Sequence, residues 1–165
     1  MIICGIDAST KKTGIAVFRD GYYINHALID LHKEQNSDVR IPTMMCEICS
    51  FLDKFNIDKI IMEKSILKTN VDTVQKLSNL AGAVMLYAAQ HNIEFENPVP
   101  SVWRKKVGLQ QGKTTRSDLK EEAIFAVKNE YNLDVSDDEA EAILLARSGF
   151  ELSKLNVTVD DIWGE

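Results

Sequence analysis

The chain has 165 residues and a formal net charge of −6, with 45% hydrophobic and 27% charged side chains. That length suits one domain with a sizeable core, and the composition reads as a soluble globular protein rather than a disordered one. No apolar run approaches the roughly 20 residues needed to span a bilayer. The opening Met1–Asp7 lacks the basic and long apolar stretches of a secretion signal, and three cysteines suit reduced thiols. A cytoplasmic, intracellular setting is therefore expected.

Ile2–Ala8 and Thr13–Arg19 read as strands, and Asp20-Gly21 is a hairpin signal leading to a third, antiparallel strand over Tyr22–Leu31. His32–Ser37 reads as a polar loop. From Val39 to Phe55 apolar residues recur at helical spacing, with Pro42 expected in the first turn. Asp58–Glu63 contains Ile60-Ile61-Met62, a run suited to a parallel strand covered on both faces. A long helix is predicted over Asp72–His91 and a short strand over Ile93–Glu96. Ser101 is expected to cap a short helix that Gly108 ends. Gln110–Thr115 reads as a loop. Two helices follow, Arg116–Asn129 and Ser136–Arg147, the second opened by the capping box Ser136-x-x-Glu139. The order βββ-α-β-α-β-α-α-α, hairpin first, predicts a mixed five-stranded sheet with helices on both faces. Residues 1–150 form the predicted domain and 151–165 an acidic tail.

Charge is unevenly spread. Residues 101–120 carry Arg104, Lys105, Lys106, Lys113, Arg116 and Lys120 against Asp118 alone, a balance of +5 that leaves −11 for the remainder. Such a patch is a usable phosphate footprint, because exposed charges act over about 10 Å at moderate salt. A solvated surface explains the same cluster.

Three acidic signals carry chemistry. Asp7 closes an apolar strand and is followed by small and hydroxyl residues in Ala8-Ser9-Thr10-Lys11-Lys12-Thr13-Gly14. A carboxylate on a buried strand needs a partner or a cation. A turn-capping Asp is the plain alternative, and the actin-like ATPase fold opens in the same way. Glu63 closes the central strand, where open α/β sheets place their ligands; a salt bridge to Lys59 or Lys64 is the alternative. Asp138 and Glu141 lie three apart and project from one side of the last helix. A favourable interaction with the helix dipole accounts for Asp137, Asp138 and Glu139, and less well for Glu141. Together Asp7, Glu63, Asp138 and Glu141 supply the hard oxygen donors that Mg²⁺ prefers. Two such ions would serve phosphodiester cleavage.

The pattern Gly5-Ile6-Asp7-x-Ser9-x-x-x-Thr13-Gly14, then Met62-Glu63, then Asp138-x-x-Glu141-Ala142 resembles the acidic tetrad of RuvC-type Holliday junction resolvases, a branch of the ribonuclease H-like superfamily. Lys76-Leu77-x-x-x-Ala81-Gly82 and Val99-Pro100-x-x-Trp103-Arg104-x-x-Val107-Gly108 extend the resemblance over residues 1 to 149. Many cellular members have Asp where this chain has Glu141, and the Trp103-Arg104 pair looks like a virus- or phage-type branch, which would place the protein in a host cell.

The resemblance implies a Mg²⁺-dependent endonuclease, with Mn²⁺ able to substitute, whose metal ligands are Asp7, Glu63, Asp138 and Glu141. It would cut Holliday junctions and related branched DNA, including forks or flaps, in recombination and repair. Paired nicks would come from a homodimer joined through helix 72–91, where Ala81-Gly82-Ala83 permits close approach. Arg104, Lys105 and Lys113 are the favoured phosphate contacts, with Lys11 and Lys12 on the first hairpin. Lys64, Ile66 and Lys68 form a loop in which an apolar side chain would wedge into an opened base step; packing on the core is the alternative for Ile66. Trp103 is a core anchor or a base-stacking platform. An enzyme acting on structured RNA, an actin-like ATPase fragment and a non-catalytic junction binder remain as rival readings. Cys46 and Cys49 form a lone C-x-x-C without the second pair a zinc site needs, and buried thiols are expected there. The histidines are assigned no role.

Overall fold

A computed structural model describes residues 1–65, 70–109 and 115–150. The first three strands, β1 (Ile2–Asp7), β2 (Lys12–Arg19) and β3 (Tyr22–Asp30), form an antiparallel meander. Then follow α1 (Ser37–Leu52), β4 (Lys59–Met62), α2 (Val71–Gln90), β5 (Glu94–Glu96), α3 (Pro100–Lys106), α4 (Arg116–Tyr131) and α5 (Asp137–Ser148). The predicted element order holds throughout. The sheet runs β3-β2-β1-β4-β5, with β4 parallel to both β1 and β5.

Strand alternation divides the core in two. Cys4 and Ile6 of β1, Ile15 and Val17 of β2, and Ile60 and Met62 of β4 pack under α1 and α2. Ile3, Ala16, Phe18 and Ile61 point the other way, into a second cluster with α5, Trp103, Ala123 and Val127. Parity therefore decides where the acidic residues go. Asp7 lies on the face of Ile3 and Gly5, and Glu63, one step past β4, on that of Ile61.

Helix α5 opens on acidic residues and becomes apolar from Ala142 to Ala146, a run buried on every side, as expected of a helix clasped between a sheet and further helices. Its buried residues include Ala140, Ala142, Ile143, Leu144, Leu145 and Ala146. Its approach to the sheet depends on two glycines. A Cβ on Gly5 would sit 2.3 Å from the Ala142 carbonyl oxygen, and one on Gly14 would sit 1.9 Å from that of Asp138. Side chains at either place would push the helix away.

Several local expectations are corrected. Helix α1 starts at Ser37, capped by the Asn36 side chain, so Pro42 falls inside the helix rather than in its first turn. There its missing N–H leaves an interior carbonyl without its usual donor. Ser101 does not cap α3: the helix opens on Pro100, whose fixed φ suits a first position, and Val99 contributes no side-chain cap. Cys46 is exposed and Cys49 half-buried, so only Cys4 is a buried thiol. By contrast, Asp20 and Gly21 both have positive φ, at 52° and 88°, as a two-residue hairpin requires. The capping box of Ser136 and Glu139 is formed. No helix among the described residues is long and apolar enough to cross a membrane.

Candidate metal centre

Asp7 ends β1, and Glu63 follows β4, its N–H donating to the Ile6 carbonyl at 3.3 Å. Parallel pairing of Ile6 with Met62 sets the two carboxylates side by side at the carboxyl ends of the strands. The first turns of α5 bring Asp138 and Glu141 over them. Asp7 feels the charges of all three, that of Glu141 most strongly. All four predicted acidic residues are neighbours.

The loop after Asp7 is held by its hydroxyls. Ser9 Oγ accepts from the N–H groups of Lys11 and Lys12 at 3.2 and 3.1 Å, and Thr13 Oγ1 donates to the Ser9 carbonyl at 3.0 Å. From α1, the buried Arg40 donates through Nε to the Thr10 carbonyl at 2.6 Å and through Nη1 to that of Glu34 at 2.5 Å. This fixes the backbone of the loop that follows Asp7. Nothing in the spacing of Arg40 marks it from sequence alone.

Electrostatics follow from crowding. Burial, then the charges of Glu141, Glu63 and Asp138, push the Asp7 carboxyl well above the usual carboxylate range. Glu63 is pushed up to about 7, chiefly by burial and further by Glu141, with the Trp103 hydrogen bond, Arg104 and Arg116 pulling it down. Carboxylates so placed are reluctant to ionise unless positive charge arrives.

Two of the four are turned toward protein donors. Trp103 Nε1 donates to Glu63 Oε2 at 2.6 Å. Arg104 Nη1 donates to Glu141 Oε1 at 3.0 Å. Accordingly, no three acidic, histidine or cysteine side chains among the described residues already converge as a cation site. The carboxylates adjoin one another without pointing at one centre. As a donor set they fit a hard divalent cation: all oxygen, crowded, and with Asp7 forced toward its neutral form when no cation is bound.

Trp103 is fully buried, which makes it a core anchor rather than a stacking platform. Arg104 departs from expectation. It is 5% exposed, bonded to the Leu119 carbonyl at 2.8 Å and to Glu122 at 3.4 Å besides Glu141, so its charge faces inward rather than toward solvent. Its neighbour Lys105 is exposed on the same short helix, as are Lys11, Lys12 and Lys64 elsewhere. Lys12 is paired with Asp30 at 3.2 Å. Lys59 pairs with Glu94 and Glu96, which removes it as the alternative partner of Glu63. Ile66, Lys68 and Lys113 lie outside the described residues. The sequence reading counted Arg116 in the basic patch without linking it to Glu63, which its charge reaches, and gave no role to His26, whose Nε2 stands 3.5 Å from Glu139 of the α5 cap.

A family model described as crossover junction endodeoxyribonuclease RuvC matches residues 3–145. The RuvC protein of Pseudothermotoga lettingae is 29% identical over 150 residues, covering 88% of this chain and 91% of its own. That of Bdellovibrio bacteriovorus is 26% identical over 164 residues, 93% of each chain. Among solved structures, Thermus thermophilus RuvC in complex with a Holliday junction superposes with a TM-score of 0.71 at 15% identity, covering 90% of this chain and 92% of that one. The fowlpox virus resolvase bound to Holliday junction DNA gives 0.62 at 18% identity, covering 90% and 96%. The structural likenesses carry the fold, and it is the family match across most of the sequence that decides membership: this chain belongs to the RuvC family.

Proposed function

We propose that the chain is a Mg²⁺-dependent endonuclease that cuts Holliday junctions and related branched DNA as a homodimer, each subunit nicking one strand. The observation that carries this reading is the meeting of Asp7, Glu63, Asp138 and Glu141, from two parallel strands and one helix, in a RuvC-family chain. The substrate follows from the relatives, named as crossover junction endodeoxyribonucleases, and from the two structural neighbours solved with Holliday junction DNA.

Asp7, Glu63, Asp138 and Glu141 would hold the cations, with Mn²⁺ able to replace Mg²⁺. Cations bound there supply the charge that acidifies a water and steadies the departing oxygen in phosphodiester hydrolysis. The chain itself fixes the carboxylates. Strand pairing sets Asp7 against Glu63, the two glycines admit α5, and the capping box anchors the turn bearing Asp138. Lys11, Lys12, Lys64 and Lys105 would meet backbone phosphates, which position DNA without reading its sequence. Ile66, Lys68 and Lys113 belong to the same proposed footprint. The dimer contact would be α2, on which Gly82, Met85 and Leu86 are exposed and a Cβ on Gly82 would meet nothing within 4 Å.

The test is cleavage of a synthetic four-way DNA junction beside forks, flaps and folded RNA, in Mg²⁺ and in Mn²⁺. Paired nicks in the junction leaving 5′-phosphate and 3′-hydroxyl ends are expected. Cutting of the RNA with the DNA junctions left intact would overturn the substrate assignment.

A further inference from the structure

Helix α3 delivers two consecutive side chains to the acidic cluster, and they do opposite things. Trp103 gives a neutral donor to Glu63 Oε2 and adds no positive charge. Arg104 gives a full charge to Glu141, and its guanidinium is enclosed by the Glu141 and Glu122 carboxylates, the Leu119 carbonyl and the Trp103 ring, whose centroid is 5.2 Å away. So enclosed, it serves poorly as a phosphate clamp. What it does is offset the repulsion between Glu141 and Asp7, the task a divalent cation would otherwise perform.

We propose that Arg104 is a built-in counter-ion that competes with a divalent cation for Glu141, so that the site has one strong and one weak cation position. The inference rests on the reading of the four carboxylates as cation ligands. Asp7, Glu63 and Asp138 have no arginine bonded to them among the described residues and form the strong position. Glu141 must loosen its hold on Arg104 before it can contribute, and this makes it the exchangeable corner. Arg104 is thus a positioning residue that acts through Glu141, without touching the substrate.

The experiment is Mn²⁺ binding, without DNA, by titration calorimetry and by electron paramagnetic resonance of free Mn²⁺. In the unaltered protein two classes of site are expected, at least about tenfold apart. Arg104→Gln should tighten the weak class by about tenfold and the strong class by clearly less, since removing a positive charge a few ångströms away favours an incoming cation by at least that factor where the arginine is bonded, at Glu141, and acts on Glu63 only at longer range. Arg104→Lys, which keeps the charge, should restore the weak class. Equal binding in the unaltered protein and Arg104→Gln, or weakening of both classes, would overturn the proposal. Should Arg104→Gln fail to fold, judged by circular dichroism, Glu141→Gln gives the same answer: loss of the weak class alone supports the proposal, and loss of both refutes it. Absence of any Mn²⁺ binding to the unaltered protein would instead bring down the metal-site reading itself, and the counter-ion with it.

Discussion

Gly14 lies directly beneath the backbone of Asp138: a Cβ on the glycine would come within 1.9 Å of the aspartate carbonyl oxygen. One hydrogen atom in place of a methyl group lets a helix settle low enough for its first turn to face the ends of β1 and β4. Gly14→Ala should therefore cost stability, by about 1–3 kcal/mol as overpacking does, and should reduce cleavage further than that loss explains. Urea unfolding and junction cleavage on the same preparation check this. Unchanged stability would mean that α5 does not sit where it is described.

Asp7→Asn removes the carboxylate most crowded by the others. Mg²⁺-dependent cleavage should fall by at least about a thousandfold, in the range that loss of a key electrostatic group produces. Junction binding in the absence of metal should hold or strengthen, because negative charge near the phosphates is reduced. A variant that still cuts would show that Asp7 is no ligand.

The pH dependence has a definite sign. Asp7 and Glu63 are both held above the ordinary carboxylate range, Glu63 at about 7. Between the ordinary and the folded values the folded state binds more protons than the unfolded one. Stability from these groups is thus complete at low pH and lost as pH rises through the folded values. Without divalent ions the Tm should fall from pH 5.5 to 7.5, and the Tm increase produced by Mg²⁺ should grow over the same interval. Thermal melts at three pH values, with and without Mg²⁺, measure both. A Mg²⁺ effect independent of pH would detach these carboxylates from cation binding.

Lys11 and Lys105 are exposed on separate elements, the first hairpin and α3. Replacing both with alanine should weaken junction binding and reduce the slope of log affinity against log salt by about 1 per lysine. The same substitution at Arg104 should leave the slope unchanged, since that charge is enclosed. Binding isotherms from low to moderate salt distinguish the two.

Met85 and Leu86 are about half and three-fifths exposed on α2, at 52% and 60%. Changing both to glutamate should convert the proposed dimer to monomers, detectable by sedimentation, while each subunit keeps its fold. Junction resolution should then give single unpaired nicks.

Much of this architecture was legible because its signals are periodic or local. The Asp20-Gly21 turn, the Ile60-Ile61-Met62 run and the Ser136 capping box each name their own structure. The acidic cluster was legible only as a set, since Asp7, Glu63 and Asp138 each have an ordinary explanation when taken singly. Arg104 was misread because charge is visible in sequence and burial is not: a cation within a basic stretch looks solvent-facing until Glu141 and Glu122 are seen around it. Trp103 as the partner of Glu63, and Arg40 as the clamp on Thr10, depend on contacts between residues about 30 to 40 apart in sequence. No local pattern encodes such contacts. Helix starts were missed by two residues in α1 and in α3, because proline suits more than one place in a helix and α3 opens on Pro100 without any side-chain cap.

Alternation along β1 places constraints on how this protein can change over time. Ile3 and Gly5 share a face with Asp7, whereas Cys4 and Ile6 lie under α1 and α2. A single inserted residue within the strand would swing the acid into oily surroundings and send an isoleucine toward the nucleic acid. Length variation in β1 is therefore permitted only in steps of two, and an engineered one-residue insertion there should erase fold and cutting together.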